Sequence, residues 1–253
     1  QATSFASIDT DTGTYTTITS NLLSGTTLAN LAYDPLLKRF YTSTGVNTTS
    51  DLRTVTTSGS LSPAIGSIGK NLGAMWYRTV EPYTSGTLGV YNRTNTEVGR
   101  VNTTTGAYTS GSNSNANFNN LVGGRGAILG NANYMVSPNA NATAANSAFG
   151  TMNLLTGAFT TLATGTTFQH MVLASDGAEL YGLVPVSTGT ALLYKVTTTG
   201  SLTQVAEVKP ASGVLPLQFS GAAFAVPEPT AIGLAVSGVA ALAVGVRSRR
   251  RKR

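Results

Sequence analysis

The sequence predicts an all-β protein: a β-propeller of five four-stranded blades, the last closed by N- and C-terminal strands, followed by one C-terminal transmembrane helix. Three observations lead there. Threonine occurs 40 times in 253 residues, and its branched β-carbon favours strands over helices. A short Thr-Gly or Ser-Gly unit recurs five times along the chain. An uncharged apolar run followed by a basic cluster then ends it.

The repeat is centred on Gly13, Gly59, Gly106, Gly157 and Gly200, at spacings of 46, 47, 51 and 43 residues, which is the period of propeller blades. The residue before each glycine carries a hydroxyl: Thr12, Ser58, Thr105, Thr156 and Thr199. Two positions after it stands a large apolar residue: Tyr15, Leu61, Tyr108, Phe159 and Leu202. Each unit reads as a hairpin. Glycine supplies the left-handed turn residue, the hydroxyl bonds turn backbone, and the apolar residue starts the returning strand against the core.

A second strand pair lies between these hairpins. Leu31-Ala32-Tyr33 with Arg39-Phe40-Tyr41 is one copy, turned at Asp34-Pro35. Ala127-Ile128-Leu129 with Tyr134-Met135-Val136 is a second, and Met171-Val172-Leu173 with Glu179-Leu180-Tyr181 a third, turned at Asp176-Gly177. The copy around Trp76 and Tyr83 is looser. Four antiparallel strands per repeat make a blade. The hairpin at Gly13 lacks a preceding pair and residues 215–225 lack a following hairpin, so the two halves are expected to form the fifth blade. Residues 111–120 and 138–147, rich in Asn, Ser, Ala and Thr, are expected as exposed loops.

Charge divides the chain into residues 1–225, the propeller, and 226–253. Charged residues are only 10% of the whole and the net charge is +6. Six basic side chains fall within residues 247–253, which leaves ten basic against ten acidic before them. A balanced body has no electrostatic footprint for nucleic acid. Residues 230–246 carry no charge, and as a helix they would span about 25 Å, near the short end for crossing a bilayer. The basic cluster would hold that end in the cytoplasm and leave the body outside.

Val226-Pro227-Glu228-Pro229 stands just upstream. A Pro-Glu-Pro motif, an apolar span and an arginine cluster in this order resemble the PEP-CTERM sorting signal of Gram-negative bacteria. The resemblance covers about the last 28 residues. It implies that an exosortase in the inner membrane is a partner and takes the chain as its substrate. Pro227, Glu228 and Pro229, with Arg249, Arg250 and Arg251, would then be recognition residues. It also implies export to the cell surface or extracellular matrix, with a link to exopolysaccharide and biofilm. Gln1 follows no apolar leader, so a removed signal peptide is expected.

Chemistry is sparse in the body. Without cysteine there is no disulfide and no thiol nucleophile. His170 is the one histidine, placed on an expected strand over residues 169–173, and it has no evident nucleophile to serve. Asp9-Thr10-Asp11-Thr12-Gly13 has the outline of a calcium loop, but Asn102 and Asn153 occupy the matching position in two other repeats. A turn-capping side chain explains all three without metal. Trp76 and the tyrosines suit a blade core, and could also stack on sugars. The reading is therefore a non-catalytic, exported binding or structural protein without cofactors. An envelope propeller hydrolase or lyase acting on polysaccharide is the alternative if Asp34, Asp176 and Glu179 converge, and a fibre or surface-layer subunit is another.

Overall fold

A computed structural model describes residues 4–20, 22, 28–44, 50–77, 86–114, 126–137, 147–187, 190–210 and 222–223. They form an all-β, propeller-like arrangement. The first blade contains β3 (Leu28–Asp34), β4 (Arg39–Thr44), β5 (Asp51–Thr56) and β6 (Gly66–Ser67). The second contains β7 (Leu72–Tyr77), β8 (Thr87–Asn92), β9 (Glu97–Asn102) and β10 (Tyr108–Asn113). The third contains β11 (Gly126–Leu129), β12 (Ala132–Ser137), β13 (Ala148–Met152) and β14 (Phe159–Thr164). The fourth contains β15 (Val172–Ser175), β16 (Leu180–Ser187), β17 (Thr190–Val196) and β18 (Leu202–Pro210). Each blade is an antiparallel meander in sequence order.

The expected count of five complete blades needs correction: the described strands make four, plus one hairpin. That hairpin, β1 (Phe5–Ile8) and β2 (Thr14–Thr19), joins the fourth blade by parallel pairing of β2 with β18 at Thr14–Lys209 and Tyr15–Pro210. Most of the strand expected over residues 215–225 lies outside the described residues. So do the sorting signal and the span over 230–246; among the described residues no helix is long and apolar enough to cross a membrane. Two further corrections are local. Gly111, Ser112 and Asn113 belong to β10 rather than to a loop, because β9 offers pairing partners as far as Glu97. His170 ends a short 3-10 helix (Thr166–Gln169) and precedes β15 instead of lying in a strand.

The apolar residues gather in five clusters, four between consecutive sheets and one between the hairpin and the blade-four strands of its own six-stranded sheet. Tyr41, Leu52, Met75 and Leu88 join blades one and two; Trp76, Tyr91, Met135 and Met152 join two and three. Phe149, Phe168, Met171 and Leu180 join three and four. Tyr15 packs the hairpin on Val172, Leu183 and Val208 of blade four. Phe5 packs it on Phe40 and Val55 of blade one, with the Phe5 and Phe40 rings 5.3 Å apart edge to face. The hairpin thus fills the space between the first and last blades.

The apolar column of the repeat is distributed over these seams, one member to each: Leu61, Tyr108, Phe159, Leu202 and Tyr15 each pack in a different cluster. The glycine column has a second role besides its turn. All five glycines have positive φ, from 71° to 89°, and a Cβ on any of them would strike the preceding sheet. Gly59 faces Thr19, Gly106 faces Gly66, Gly157 faces Asn113, Gly200 faces Ala163, and Gly13 faces the Glu207 carbonyl. The contacts pass from sheet to sheet around a closed cycle that includes the hairpin.

Gly126 makes the same economy at the centre. Its missing Cβ would lie 2.3 Å from Nε1 of Trp76, which is 1% exposed. Gly126→Ala is expected to displace that ring and to cost about 2 kcal/mol by overpacking. Trp76 is the one tryptophan, so its emission maximum in a urea titration reads both effects.

Candidate functional site

Short polar side chains at turns mostly bond their own backbone. Asp9 Oδ1 accepts from the amides of Asp11 and Thr12 and from the Thr12 hydroxyl. Asn102 accepts from Thr104 and Thr105, and Asn153 from Leu155 and Thr156, in the same geometry. These bonds lower the pKa of Asp9 from its ordinary value, the Thr12 amide contributing most. The calcium-loop outline is therefore occupied by a capped turn. In the two shorter turns Thr56 and Thr197 accept from Ser60 and Ser201.

The three carboxylates named as a possible active site lie in two turns, Asp34 in blade one and Asp176 with Glu179 in blade four. Asp34, 1% exposed, accepts from the Leu36 and Leu37 amides at 2.9 and 3.1 Å. It also takes a hydrogen bond from Tyr77, whose pKa is pushed up to about 12, by burial first and then by that bond and charge. Tyr77 stacks on Tyr41, and the Arg39 guanidinium lies 4.9 Å from the Tyr41 ring. Asp176 accepts from Ala178 and Glu179 in another blade. Glu179 pairs with Lys195 at 2.7 Å and accepts from the Tyr181 hydroxyl at 3.0 Å. His170 is exposed and precedes β15, while Asp176 follows its end, so the four extended residues of that strand, about 13 Å, lie between them. Trp76 is core.

The most developed polar constellation was not anticipated. Glu97, 5% exposed at the start of β9, accepts hydrogen bonds from Asn92 (2.9 Å), Asn95 (3.4 Å) and Tyr108 (2.8 Å) on one oxygen and from Ser110 (2.6 Å) on the other. Burial alone would raise its pKa; the four donors outweigh burial and hold it below the ordinary value. Tyr108 moves upward, through burial first and then the bond and charge of Glu97. Gly99 makes room, since a Cβ there would meet the Tyr108 hydroxyl at 2.5 Å. A carboxylate saturated in this way is a poor proton acceptor, so the Ser110–Glu97 bond is not an activated nucleophile. The one sequence signal was an acid opening a strand that buries its next two residues, Glu97-Val98-Gly99. Its donors come from two other strands, β8 and β10, and a turn, and only pairing brings them together.

Tyr77, Tyr108 and Tyr181 all have raised pKa values. Each favours the neutral phenol in the folded state, so its contribution is complete below tyrosine's ordinary value of 10 and is lost as pH rises towards the folded value. Spectrophotometric titration should therefore show these three tyrosines ionising late, together with unfolding. Replacement of all three by phenylalanine should reduce that late phase to Tyr15, whose pKa burial also raises.

Beside Ser110 are two shallow clefts that share Leu154 and Leu155. One, of about 290 Å³, runs along Gly99, Arg100, Thr109, Ser110 and Ser112 on blade two. The other, of about 410 Å³, is lined on blade three by Asn131, Asn133, Thr151, Asn153 and Thr160. Amides, hydroxyls and short aliphatic groups line both clefts, with Arg100 the one charged side chain among them. They offer no acid–base pair, and among the described residues no group of His, Asp and Glu could hold a metal ion.

The sequence matches no family model and no curated protein. Among solved structures the chain is similar to puromycin hydrolase, at 17% identity over 71% of this chain and 28% of that one, with a TM-score of 0.44. It is similar to a chain of a nidogen/laminin complex at 10% identity, over 79% and 73% of the two chains, with a TM-score of 0.49. A calcium-binding protein of Agrobacterium tumefaciens, regucalcin, matches at 11% identity over 74% and 58%, with a TM-score of 0.44. The chain spans just over a quarter of the puromycin hydrolase chain it matches, and at these identities no activity carries across.

Proposed function

We propose that the protein is an exported, exosortase-processed surface or matrix protein of a Gram-negative cell, with a propeller body that binds or builds rather than catalyses. The single observation that carries this is the ordered tail: Pro227-Glu228-Pro229, then 17 uncharged residues over 230–246, then six basic side chains. In this reading residues 230–246 cross the inner membrane until an exosortase releases the body, which then associates with exopolysaccharide in the biofilm.

The body's chemistry favours the non-catalytic half of the reading. Six of the eight described carboxylates are engaged: Asp9, Asp34 and Asp176 cap turns, Glu97 is saturated, and Glu179 and Glu207 pair with lysines.

The test is the intact mass of the protein recovered from the surface and medium of an exosortase-containing host. A product truncated near Pro227 is expected. A full-length chain confined to the inner membrane would sink the processing step and leave the tail a plain anchor.

A further inference from the structure

We infer that the Leu36–Leu37 turn of the first blade is a membrane-contact element, and that the surface it fits is the lipid bilayer carrying the tail. The inference rests on the reading of residues 230–246 as a membrane span.

Leu36 and Leu37 are 70% and 58% exposed, and they are the one adjacent pair among the exposed large hydrophobic residues of the described chain. The turn is firmly built, because both amides donate to the buried Asp34 carboxylate. Lys38 takes a left-handed conformation at φ 50° to complete it. Exposed Lys38 and half-buried Arg39 follow directly. Apolar tips flanked by cations with long aliphatic stems match an interface where tails meet phosphates.

The tail brings the bilayer to this turn. Ala223 packs against the cluster of Phe5, Phe40 and Val55. The Tyr33–Phe40 pair is the next rung after Asp34–Arg39, which closes the turn. The uncharged run begins at Thr230, seven residues beyond Ala223. Seven residues reach at most about 25 Å even when fully extended. A bilayer containing that run therefore lies within a short tether of the leucine pair, and the body has little freedom to hold the pair away from it.

Because the chain has no cysteine, one introduced thiol can be labelled cleanly. The full-length chain bearing Leu37→Cys, labelled with an environment-sensitive dye, is inserted into vesicles of phosphatidylcholine and phosphatidylglycerol. Val186→Cys is the control; Val186 is 52% exposed and lies towards the far end of β16 from its turn with β15. The expected result is a blue shift at Leu37 and loss of its emission to bromine-labelled lipid, with Val186 unchanged. If the chain floats with the vesicles but the Leu37 dye stays in water, the contact is overturned and the span survives. A chain that does not float overturns both. A lipid-independent blue shift that grows with protein concentration would assign the turn to a second copy of the chain, and would also overturn the inference.

Discussion

Gly106→Ala is expected to destabilise the body by about 3 kcal/mol or more, since a left-handed alanine costs about 1 to 2 kcal/mol and a steric conflict is added. The conflict is with backbone: the new Cβ would lie 2.6 Å from the carbonyl carbon and oxygen of Gly66. Neither side can yield by rotating a side chain, so the blades must separate. Gly130→Ala isolates the conformational part. Gly130 has φ 57° and nothing within 4 Å of its would-be Cβ, so about 1 kcal/mol is expected there. Urea denaturation of the two variants checks the difference. Equal losses would show that the glycine column serves the turns alone.

Glu97→Ala should have a comparable effect, about 3 kcal/mol, because it leaves Tyr108, Asn92 and Ser110 without the acceptor they surround, and a stranded buried donor costs about 1 to 3 kcal/mol. The pH dependence gives an independent reading. The folded pKa of Glu97 lies below its ordinary value of 4.5. Its contribution is therefore complete above that value and is lost as pH falls through the folded one. Glu97→Gln keeps the shape but cannot ionise, and its stability should lack this acid-side step. Thermal melts of both proteins across the acid range check it; parallel curves would place the acid sensitivity elsewhere.

The repeat was legible because its causes are local. A left-handed glycine, a hydroxyl beside it and an apolar residue two positions on define a turn within a few residues, and all five recur in the structure as read. Asp34, Asp176, Asn102 and Asn153 were likewise legible as turn residues. The fifth blade was inferred by joining the two ends of the sequence, and the described strands carry only its hairpin. Glu97 could not be foreseen: Asn92 and Glu97 are set side by side by the pairing of β8 with β9, and Tyr108 reaches them across Gly99. His170 was misplaced because the apolar pattern of Met171-Val172-Leu173 continues no further back than the helix containing Phe168.

The hairpin between the first and last blades sets the order in which the molecule can form. Its strands are made first, but half of their seat, Val172, Leu183 and Val208, is made last. Until β15 to β18 emerge, Tyr15 has only solvent on that side, and the meander of each earlier blade must form as an open arc of local contacts. Thr14 and Lys209 meet across nearly the whole sequence, so the final step has the longest loop to close and is expected to be the slowest. Refolding followed at Trp76, which sits in a seam between adjacent blades, should therefore finish before refolding followed at the hairpin.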